Sequence, residues 1–346
     1  MDGKVHPHGG VIALDNEISR QIQRIYGALS DDVSRKIYKH RLLFSLTGEK
    51  DEISQMVREC SPGAEFLGSK KVCFYGAGGG AHWLVRYMKR DTFVIDRDKT
   101  GTIEGHPIIA FDEFIAMPDY KEYVVVITVG KEDARHEIQA MLAGHGIDYL
   151  FGYFDFQYFD LQYFDLPGMK LQDEYFVDAG ALDGETTKYF LEHFENGHAY
   201  VFEPNMEQFR ITEQNLQGYD NVTFYPYGLY DRNSTMRFAS CDYDSGSAKV
   251  SETGDSQIEV RRLDEVLAGK KVTFIKMDIE GSELAALKGA EQTIREQKPK
   301  LAICVYHKPE DIWEIPNLLL GYVPEYRLYL RHYSITNTET VLYAIP

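Results

Sequence analysis

The sequence is poor in cysteine. Its four cysteines, Cys60, Cys73, Cys241 and Cys304, follow no C-x-x-C or other metal-binding spacing. Cys73 and Cys304 lie in apolar, strand-like runs, which favours small buried side chains. We therefore predict no metal site, and a reducing, cytoplasmic location is the default expectation.

Basic residues are also scarce relative to acidic ones. The chain has 37 Lys and Arg against 54 Asp and Glu, a formal net charge of −17. Such acidity argues against a nucleic-acid substrate and against an anionic membrane surface as partner. The sequence shows neither an apolar run of transmembrane length nor an amino-terminal apolar signal region, so we expect no membrane span.

Apolar and aromatic residues are plentiful, at 44% and 13% of the 346 residues, and this length favours two domains. We expect a helical amino-terminal segment at 1–68. Its helical periodicity runs from Asn16 to about Cys60, with Ile18, Ile22 and Ile25 on one side, and we assign it to packing or to contacts in a homo-oligomer. The further divisions that we expect are an α/β domain at 69–150, an aromatic linker at 151–170 and a second α/β domain at 171–346.

Residues 69–150 predict a small Rossmann-like domain. Gly76, Gly78 and Ala81 follow a predicted strand and precede a helix, in the G-x-G-x-x-G/A pattern that lets a nucleotide approach the backbone. A second strand ends on Asp96. The segments FYGAGGGA, VIDRDKTGTIEGHPII and ITVGKEDARHEI resemble nucleotide- or sugar-nucleotide-binding domains of bacterial glycan-modifying enzymes, but such a domain can also be a scaffold without ligand.

The linker repeats YFD every five residues between Tyr153 and Gly168. This period fits neither a helix nor a strand. The repeat is either an aromatic surface that stacks on a sugar or a buried connector, and the connector is favoured because aromatic side chains dominate buried contact area.

Three strand ends organise residues 171–346. The run YFVDAGALDGETT predicts a strand, a turn through Gly180 and Gly184, and a helix start. A second strand ends on Glu203, which is either an acid that accepts hydrogen bonds from ribose hydroxyls or a solvated charge at the end of the strand. A third delivers Asp278 and Glu280. Because carboxyl ends of parallel strands form one rim, we expect these acids and Asp178 to face one cleft.

Two later positions extend this rim. The run VTFYPYGLYD predicts a third strand that reaches Asp231, either an adenine-binding residue or a turn aspartate. The run LAICVYH ends on His307. Between these strands, alternation in residues 258–262 predicts an added hairpin.

The segments FVDAGALDGET, FEPN and KMDIEGSELAALKGA and the ending RHYSITNTETVLYAIP resemble the FkbM-type methyltransferases, which use S-adenosylmethionine. The resemblance implies a class I methyltransferase fold, with a mostly parallel seven-stranded sheet and helices on both sides. Leu182 replaces the usual second glycine of G-x-G, as it does in this family. The cofactor site that we expect on this basis comprises Asp178, Ala179, Gly180, Asp183, Gly184, Thr186, Glu203, Pro204, Asp231, Asp278 and Glu280.

Methyl transfer needs an aligned acceptor oxygen and a group that takes its proton. Asp278 and His307 are the candidates, and the ordinary pKa of histidine suits neutral pH better. Lys276 lies on the same side of its strand as Asp278 through period-two alternation, and its alternative role is an ion pair with Glu280 or Glu283.

The function expected from the sequence is S-adenosylmethionine-dependent O-methylation of a hydroxyl on a sugar, a glycan or a related small metabolite. Two alternatives stay open. One is an NAD(P)-dependent enzyme that modifies glycans or nucleotide sugars, and the other is a non-catalytic nucleotide-binding module.

Overall fold

The computed structural model describes residues 16–60, 71–78, 81–82, 85, 92–129, 131–151, 162–164, 171–241, 244–250, 256–334 and 336–346. Within them the chain has a mixed α/β fold, as expected. The helices are α1 Asn16–Ala28, α2 Asp32–Thr47, α3 Lys50–Cys60, α4 Phe111–Ile115, α5 Glu132–Gly144, α6 Glu185–His193, α7 Met206–Asn215, α8 Leu263–Val266, α9 Glu283–Gly289, α10 Glu291–Gln297 and α11 Asp311–Tyr322, with a 3-10 turn at Tyr120–Glu122. Among the described residues, no helix combines the length and the apolar character that crossing a membrane requires.

The strands form three sheets. In chain order they are β1 Lys71–Tyr75, β2 Val94–Ile95, β3 Gly101–Ile103, β4 His106–Ile109, β5 Tyr123–Ile127, β6 Asp148–Phe151, β7 Tyr175–Ala179, β8 His198–Phe202, β9 Val222–Tyr225, β10 Gly228–Leu229, β11 Ser234–Cys241, β12 Asp244–Val250, β13 Ser256–Arg261, β14 Phe274–Met277, β15 Lys300–Cys304, β16 Arg327–His332 and β17 Thr340–Ile345.

The first sheet has six strands in the order β3-β4-β2-β1-β5-β6. Its neighbours pair in parallel except for β3 and β4, which form an antiparallel hairpin. β5 is buried at every position, from Tyr123 to Ile127. A strand buried on both sides of its sheet reads as a continuous apolar run, which is why the sequence reveals it.

The second sheet has seven strands in the order β16-β17-β15-β14-β7-β8-β9. β7 lies inside it, paired in parallel with β14 and β8, whereas β17 pairs antiparallel with both β15 and β16. Alternate residues of β7 point to opposite sides, so that Val177 and Ala179 enter one buried cluster and Phe176 enters another. The carboxyl ends of β7, β8 and β14 therefore meet at one edge.

The amino-terminal helices pack on β16. Asp31 caps α2 by accepting the Ser34 N–H at 2.7 Å, and Gly48 ends the helix with a left-handed φ of 70°. The Ser34 hydroxyl accepts the N–H of Leu330 at 2.9 Å, and Asp31 pairs with Arg331 at 2.7 Å. These contacts hold the start of α2 against β16.

The third sheet, in the order β10-β13-β11-β12, stands between β9 and β14 in the chain and contains the antiparallel strands expected there. One expectation is wrong, because β9 ends at Tyr225 and does not reach Asp231. Most of the YFD repeat and the residues 1–15 lie outside the described residues.

Candidate functional site

The glycine turn after β7 touches the end of β14. Gly180 has a φ of +79°, and a Cβ added there would lie 1.9 Å from the backbone oxygen of Asp278. The Gly180 N–H donates to the carbonyl of Phe202, at the end of β8, at 3.0 Å. Only a residue without a side chain allows so close an approach. Three strand ends thus meet at Gly180.

Glu203 joins the same turn from β8. Its carboxylate accepts the N–H groups of Leu182 at 3.0 Å and Asn205 at 2.8 Å, and its residue is 6% exposed. Burial raises the pKa of Glu203 to about 7, and the two N–H groups lower it only in part. Leu182 itself has a left-handed φ of 54°. The glycine turn is therefore held in place by an acid from the next strand.

The other expected cofactor residues lie along this turn. Gly184 is the left-handed N-cap of α6, and Asp183 accepts the Glu185 N–H at 3.2 Å. Thr186 falls in the first turn of α6. Ala179 ends β7, and its carbonyl accepts the Asp278 N–H at 3.1 Å. Pro204 follows Glu203, directly after β8.

Asp178 does not face the cleft, contrary to expectation. Its side chain is fully buried, where it pairs with Lys276 at 2.9 Å and accepts the Thr187 hydroxyl at 2.6 Å. The Lys276 ammonium also donates to the Gly180 carbonyl at 2.7 Å. The ion partner that the structure gives Lys276 is therefore Asp178. Burial opposes the ammonium, but Asp178 and Asp278 raise the pKa of Lys276.

A cluster of charged side chains lies at the end of β14, and its members differ in the fraction of the side chain that is exposed. The side chains of Glu280 and Asp278 are 28% and 22% exposed, whereas His307 is 8% exposed and Glu283 is fully buried. The Nε2 atom of His307 lies 3.4 Å from Asp278 and 3.6 Å from Glu280, and its Nδ1 atom lies 3.0 Å from Glu283. The expected neighbours Asp278 and His307 are thus in contact.

This cluster changes the pKa of both candidate proton acceptors. Burial would lower the pKa of His307, but Glu283, Asp278 and Glu280 together raise it to about 10. The expectation of an ordinary histidine pKa is therefore wrong, because the sequence does not show how many carboxylates surround the ring. Burial would raise the pKa of Asp278, but His307 and Lys276 hold it below its usual range.

Comparison with known proteins agrees with this geometry. Residues 178–334 match the family model described as the methyltransferase FkbM domain. These residues are similar to the FkbM methyltransferases. The match covers the glycine turn, Glu203 and the whole cluster around Asp278.

Two curated relatives resemble part of the chain. Methyltransferase 1 of Beauveria bassiana is 27% identical over 147 residues, covering 34% of this chain. The 2-O-methyltransferase NoeI of Sinorhizobium fredii is 25% identical over 144 residues, covering 35% of this chain. The chain spans 59% of the length of each. A solved structure, the methyltransferase FkbM of Methylobacillus flagellatus, is 21% identical with a TM-score of 0.49, and the match covers 94% of this chain and 99% of that one.

The sequence did not reveal the linker residues that contact the FkbM domain. The Tyr163 hydroxyl donates to Asp278 at 2.8 Å, and Lys276 lies 5.1 Å from the centre of the Tyr163 ring. Burial raises the pKa of Tyr163 well above its usual value, so its hydroxyl keeps its proton. The next residue, Phe164, packs against Phe176, Phe190 and Phe274. This part of the YFD repeat is the buried connector that was favoured.

Glu339, in the turn between β16 and β17, is a second residue that was missed. It accepts the Gln162 amide at 2.7 Å and the Tyr306 hydroxyl at 3.3 Å. Burial and the nearby Asp278 raise its pKa to about 7. Its sequence signal was weak, since the surrounding ITNTET run reads as an ordinary polar turn.

Asp231 is not brought to this cluster by its contacts in the structure. Its carboxylate lies 3.0 Å from Arg232, and its carbonyl accepts a hydrogen bond from Arg262 at 3.2 Å. Its adenine-binding role stays a prediction without support from these contacts.

One group of side chains in the FkbM domain could hold a metal ion, although the sequence spacing predicted none. Ligand atoms of Asp278, Glu283 and His307 all lie within 4.8 Å of one another. They are contributed by the end of β14, the start of α9 and the residues after β15. Because the three come from separate elements, no local spacing could identify them.

The glycine turn of the first sheet has the same arrangement as that of the FkbM domain. Asp96 accepts the Ala77 N–H at 2.6 Å and those of Asp98 and Lys99 at 2.9 Å each. The Lys99 ammonium donates to the Ala77 carbonyl at 2.5 Å. The Asp96 carboxylate thus accepts three backbone N–H groups, one from the glycine turn and two from the residues that follow it.

Proposed function

We propose that this protein is an S-adenosylmethionine-dependent O-methyltransferase that acts on a hydroxyl of a sugar, a glycan or a related small metabolite. The observation that carries the proposal is the meeting of Gly180, Glu203 and Asp278 at one edge of the seven-stranded sheet. S-adenosylmethionine needs three features close together: a glycine turn beside its charged amino-acid end, an acid beside its ribose, and a proton acceptor beside the methyl group that is transferred. The relative described as a 2-O-methyltransferase supports a hydroxyl oxygen as the acceptor.

The proposal divides the chain into a helical segment at 1–68, a Rossmann-like domain at 69–150, a linker at 151–170 and a methyltransferase domain at 171–346. In the last of these, Glu203 binds the ribose hydroxyls. Each carboxylate oxygen has a second lone pair beyond the one that its backbone N–H uses, so the acid can take both kinds of donor. The amino end of α6, with Gly184 and Thr186, offers N–H groups to the anionic end of the donor.

We assign the role of proton acceptor to Asp278. Its carboxylate keeps 22% of its exposure, so an acceptor hydroxyl can reach it, whereas His307 is 8% exposed and lies behind it. Asp278 takes the proton as the acceptor oxygen attacks the methyl group, and His307 and Tyr163 hold the carboxylate from two sides. Lys276 has a positioning role, because it ties Asp178 and the Gly180 carbonyl to the base of the turn.

Titration calorimetry of the whole chain with S-adenosylmethionine, with its product S-adenosylhomocysteine and with NAD tests the cofactor. We expect saturable binding of the first two and none of NAD. Binding of NAD alone would contradict the proposal, and binding of none of the three would favour a non-catalytic module. Transfer of a radiolabelled methyl group to a panel of sugars and glycans then identifies the acceptor.

Substitutions distinguish the residues that take part in methyl transfer from the residue that binds the donor. Asp278→Ala and His307→Ala should keep donor affinity within several-fold but lower turnover by a factor on the order of 10² or more. Glu203→Ala should instead weaken donor binding. Glu213→Gln, an exposed carboxylate of α7, is the matched control. Full activity in His307→Ala would show that this histidine serves the fold only.

A further inference from the structure

The cluster behind Asp278 contains buried polar atoms that lack hydrogen bonds. Among the described residues, the Oε2 atom of Glu283 and both ring nitrogens of His307 have no hydrogen-bond partner. Carboxylate oxygens lie 3.0 to 3.6 Å from those nitrogens and form ion-pair contacts with the ring. Buried polar atoms are satisfied in the great majority of cases, so this group calls for a further partner.

The charge of the cluster points to a cation as that partner. The carboxylates of Asp278, Glu280 and Glu283 surround a single imidazole. The Lys276 ammonium beside them is already paired with a fourth carboxylate, that of Asp178, at 2.9 Å. Three carboxylates thus face one imidazole, which carries at most a single positive charge. Buried charge of one sign is costly unless it is paired or coordinates a metal.

We infer that Asp278, Glu283 and His307 form a binding site for a divalent cation. One nitrogen and two carboxylate oxygens within 4.8 Å of one another lie close to the spacing of at most about 4.2 Å that ligands at about 2.1 Å from one ion require, and small side-chain rotations would bring them to it. An imidazole with two carboxylates suits first-row cations such as Mn²⁺, Fe²⁺ and Zn²⁺ better than Mg²⁺ or Ca²⁺, which prefer oxygen alone.

This inference deepens the proposed function and rests on it for the role of the ion. The ligands would leave positions open on the side of Glu280, the most exposed carboxylate of the cluster. A hydroxyl oxygen of the acceptor that entered such a position would be oriented by the cation and would lose its proton more readily. Sugars, with adjacent hydroxyl groups, offer two such oxygens.

Mn²⁺ binding to the untagged full chain tests the site without any methyl acceptor. Electron paramagnetic resonance of free Mn²⁺, titrated with protein in the presence of S-adenosylhomocysteine, should show one saturable site per chain. Glu283→Gln and Asp278→Asn should each weaken it by roughly 10- to 100-fold or more. Glu213→Gln should bind like the native chain, and the same variants also measure any background binding at His6 and His8.

The outcomes distinguish this inference from the proposed function. Absence of saturable Mn²⁺ and Zn²⁺ binding up to millimolar concentrations, or binding that survives both Glu283→Gln and Asp278→Asn, overturns the metal site. Donor binding measured in the same samples decides the methyltransferase assignment separately. Thermal unfolding identifies any variant that fails to fold, and His307→Gln then replaces it in the comparison.

Discussion

Gly180→Ala is the most direct test of the meeting point between the glycine turn and β14. A matched control exists, since Gly269 has nearly the same φ, +73° against +79°, but open space around its added Cβ. Gly269→Ala should lower the free energy of unfolding by about 1–2 kcal/mol, because only the left-handed backbone conformation disfavours a side chain there. At Gly180 the new Cβ would lie 1.9 Å from the Asp278 backbone oxygen, and backbone cannot rotate away as a side-chain end can.

The Gly180→Ala cost should therefore exceed the control by at least the usual penalty for overpacking, about 1–3 kcal/mol. Gly184→Ala should fall between the two, because its Cβ would meet the Thr212 and Leu216 side chains at 3.0 and 3.3 Å. Urea unfolding of the three variants measures this order, and calorimetry with S-adenosylhomocysteine measures donor affinity. Only Gly180→Ala should both destabilise the chain strongly and abolish donor binding. Equal losses of stability at Gly180 and Gly269 would refute the close contact.

Three further substitutions test the groups around this contact. Glu203 has a folded-state pKa of about 7, above its unfolded value, so its contribution to stability should be lost as pH rises toward and through about 7. The stability difference between the native chain and Glu203→Gln should change by roughly 3 kcal/mol between about pH 5 and about pH 8 in urea unfolding, and a constant difference would contradict this pKa. Lys276→Met should cost about 3–5 kcal/mol, because it leaves the Asp178 charge buried without its ion partner. Adding Asp178→Asn should restore much of the loss, and additive costs in a double-mutant cycle would exclude the pair. Tyr163→Phe removes a hydrogen bond to the Asp278 carboxylate, worth about 1.5 kcal/mol, and should lower kcat about tenfold with little change in donor affinity. An unchanged kcat would mean that this hydroxyl does not position Asp278.

The meeting of Gly180, Glu203 and Asp278 was predictable because each follows a local rule. An apolar run ending in an acid and a glycine marks a buried parallel strand and the turn after it. In a parallel sheet the carboxyl ends share one edge, which predicts proximity without any knowledge of side-chain contacts. The strand and helix boundaries of residues 175–216 follow the same signals closely.

The pairing of Asp178 with Lys276 could not be predicted in this way. The two residues are direct partners across β7 and β14, so the register of two distant strands places them together. Taken separately, the two strands predicted that Asp178 faces the cleft and that Lys276 could pair with Glu280 or Glu283, which follow its own strand. Register depends on which strands are adjacent, and no local pattern contains that information.

Tyr163 and Glu339 were missed for a related reason. Tyr163 lies 115 residues before its partner Asp278, and Glu339 lies 177 residues after its partner Gln162. A tyrosine in an aromatic repeat and a glutamate in a polar turn have ordinary local explanations. Only the folded chain shows that both surround Asp278.

The two glycine turns of the chain show why a turn of this kind does not by itself identify a ligand site. One turn follows β1 and the other follows β7. In each case the acid directly after the neighbouring strand, β2 or β8, accepts an N–H of the turn: Asp96 from Ala77 at 2.6 Å, and Glu203 from Leu182 at 3.0 Å. This hydrogen bond shapes the turn whether or not a nucleotide binds. The two turns differ in the residues that follow the neighbouring strand on the other side, which is β5 in the first sheet and β14 in the second. β5 is followed by Thr128, whose hydroxyl donates to the Gly76 carbonyl at 2.6 Å, whereas β14 is followed by Asp278 and its cluster of ionisable groups. The chemistry is therefore assigned to the larger sheet because of that cluster, and the glycines explain only how a ligand could come close to it.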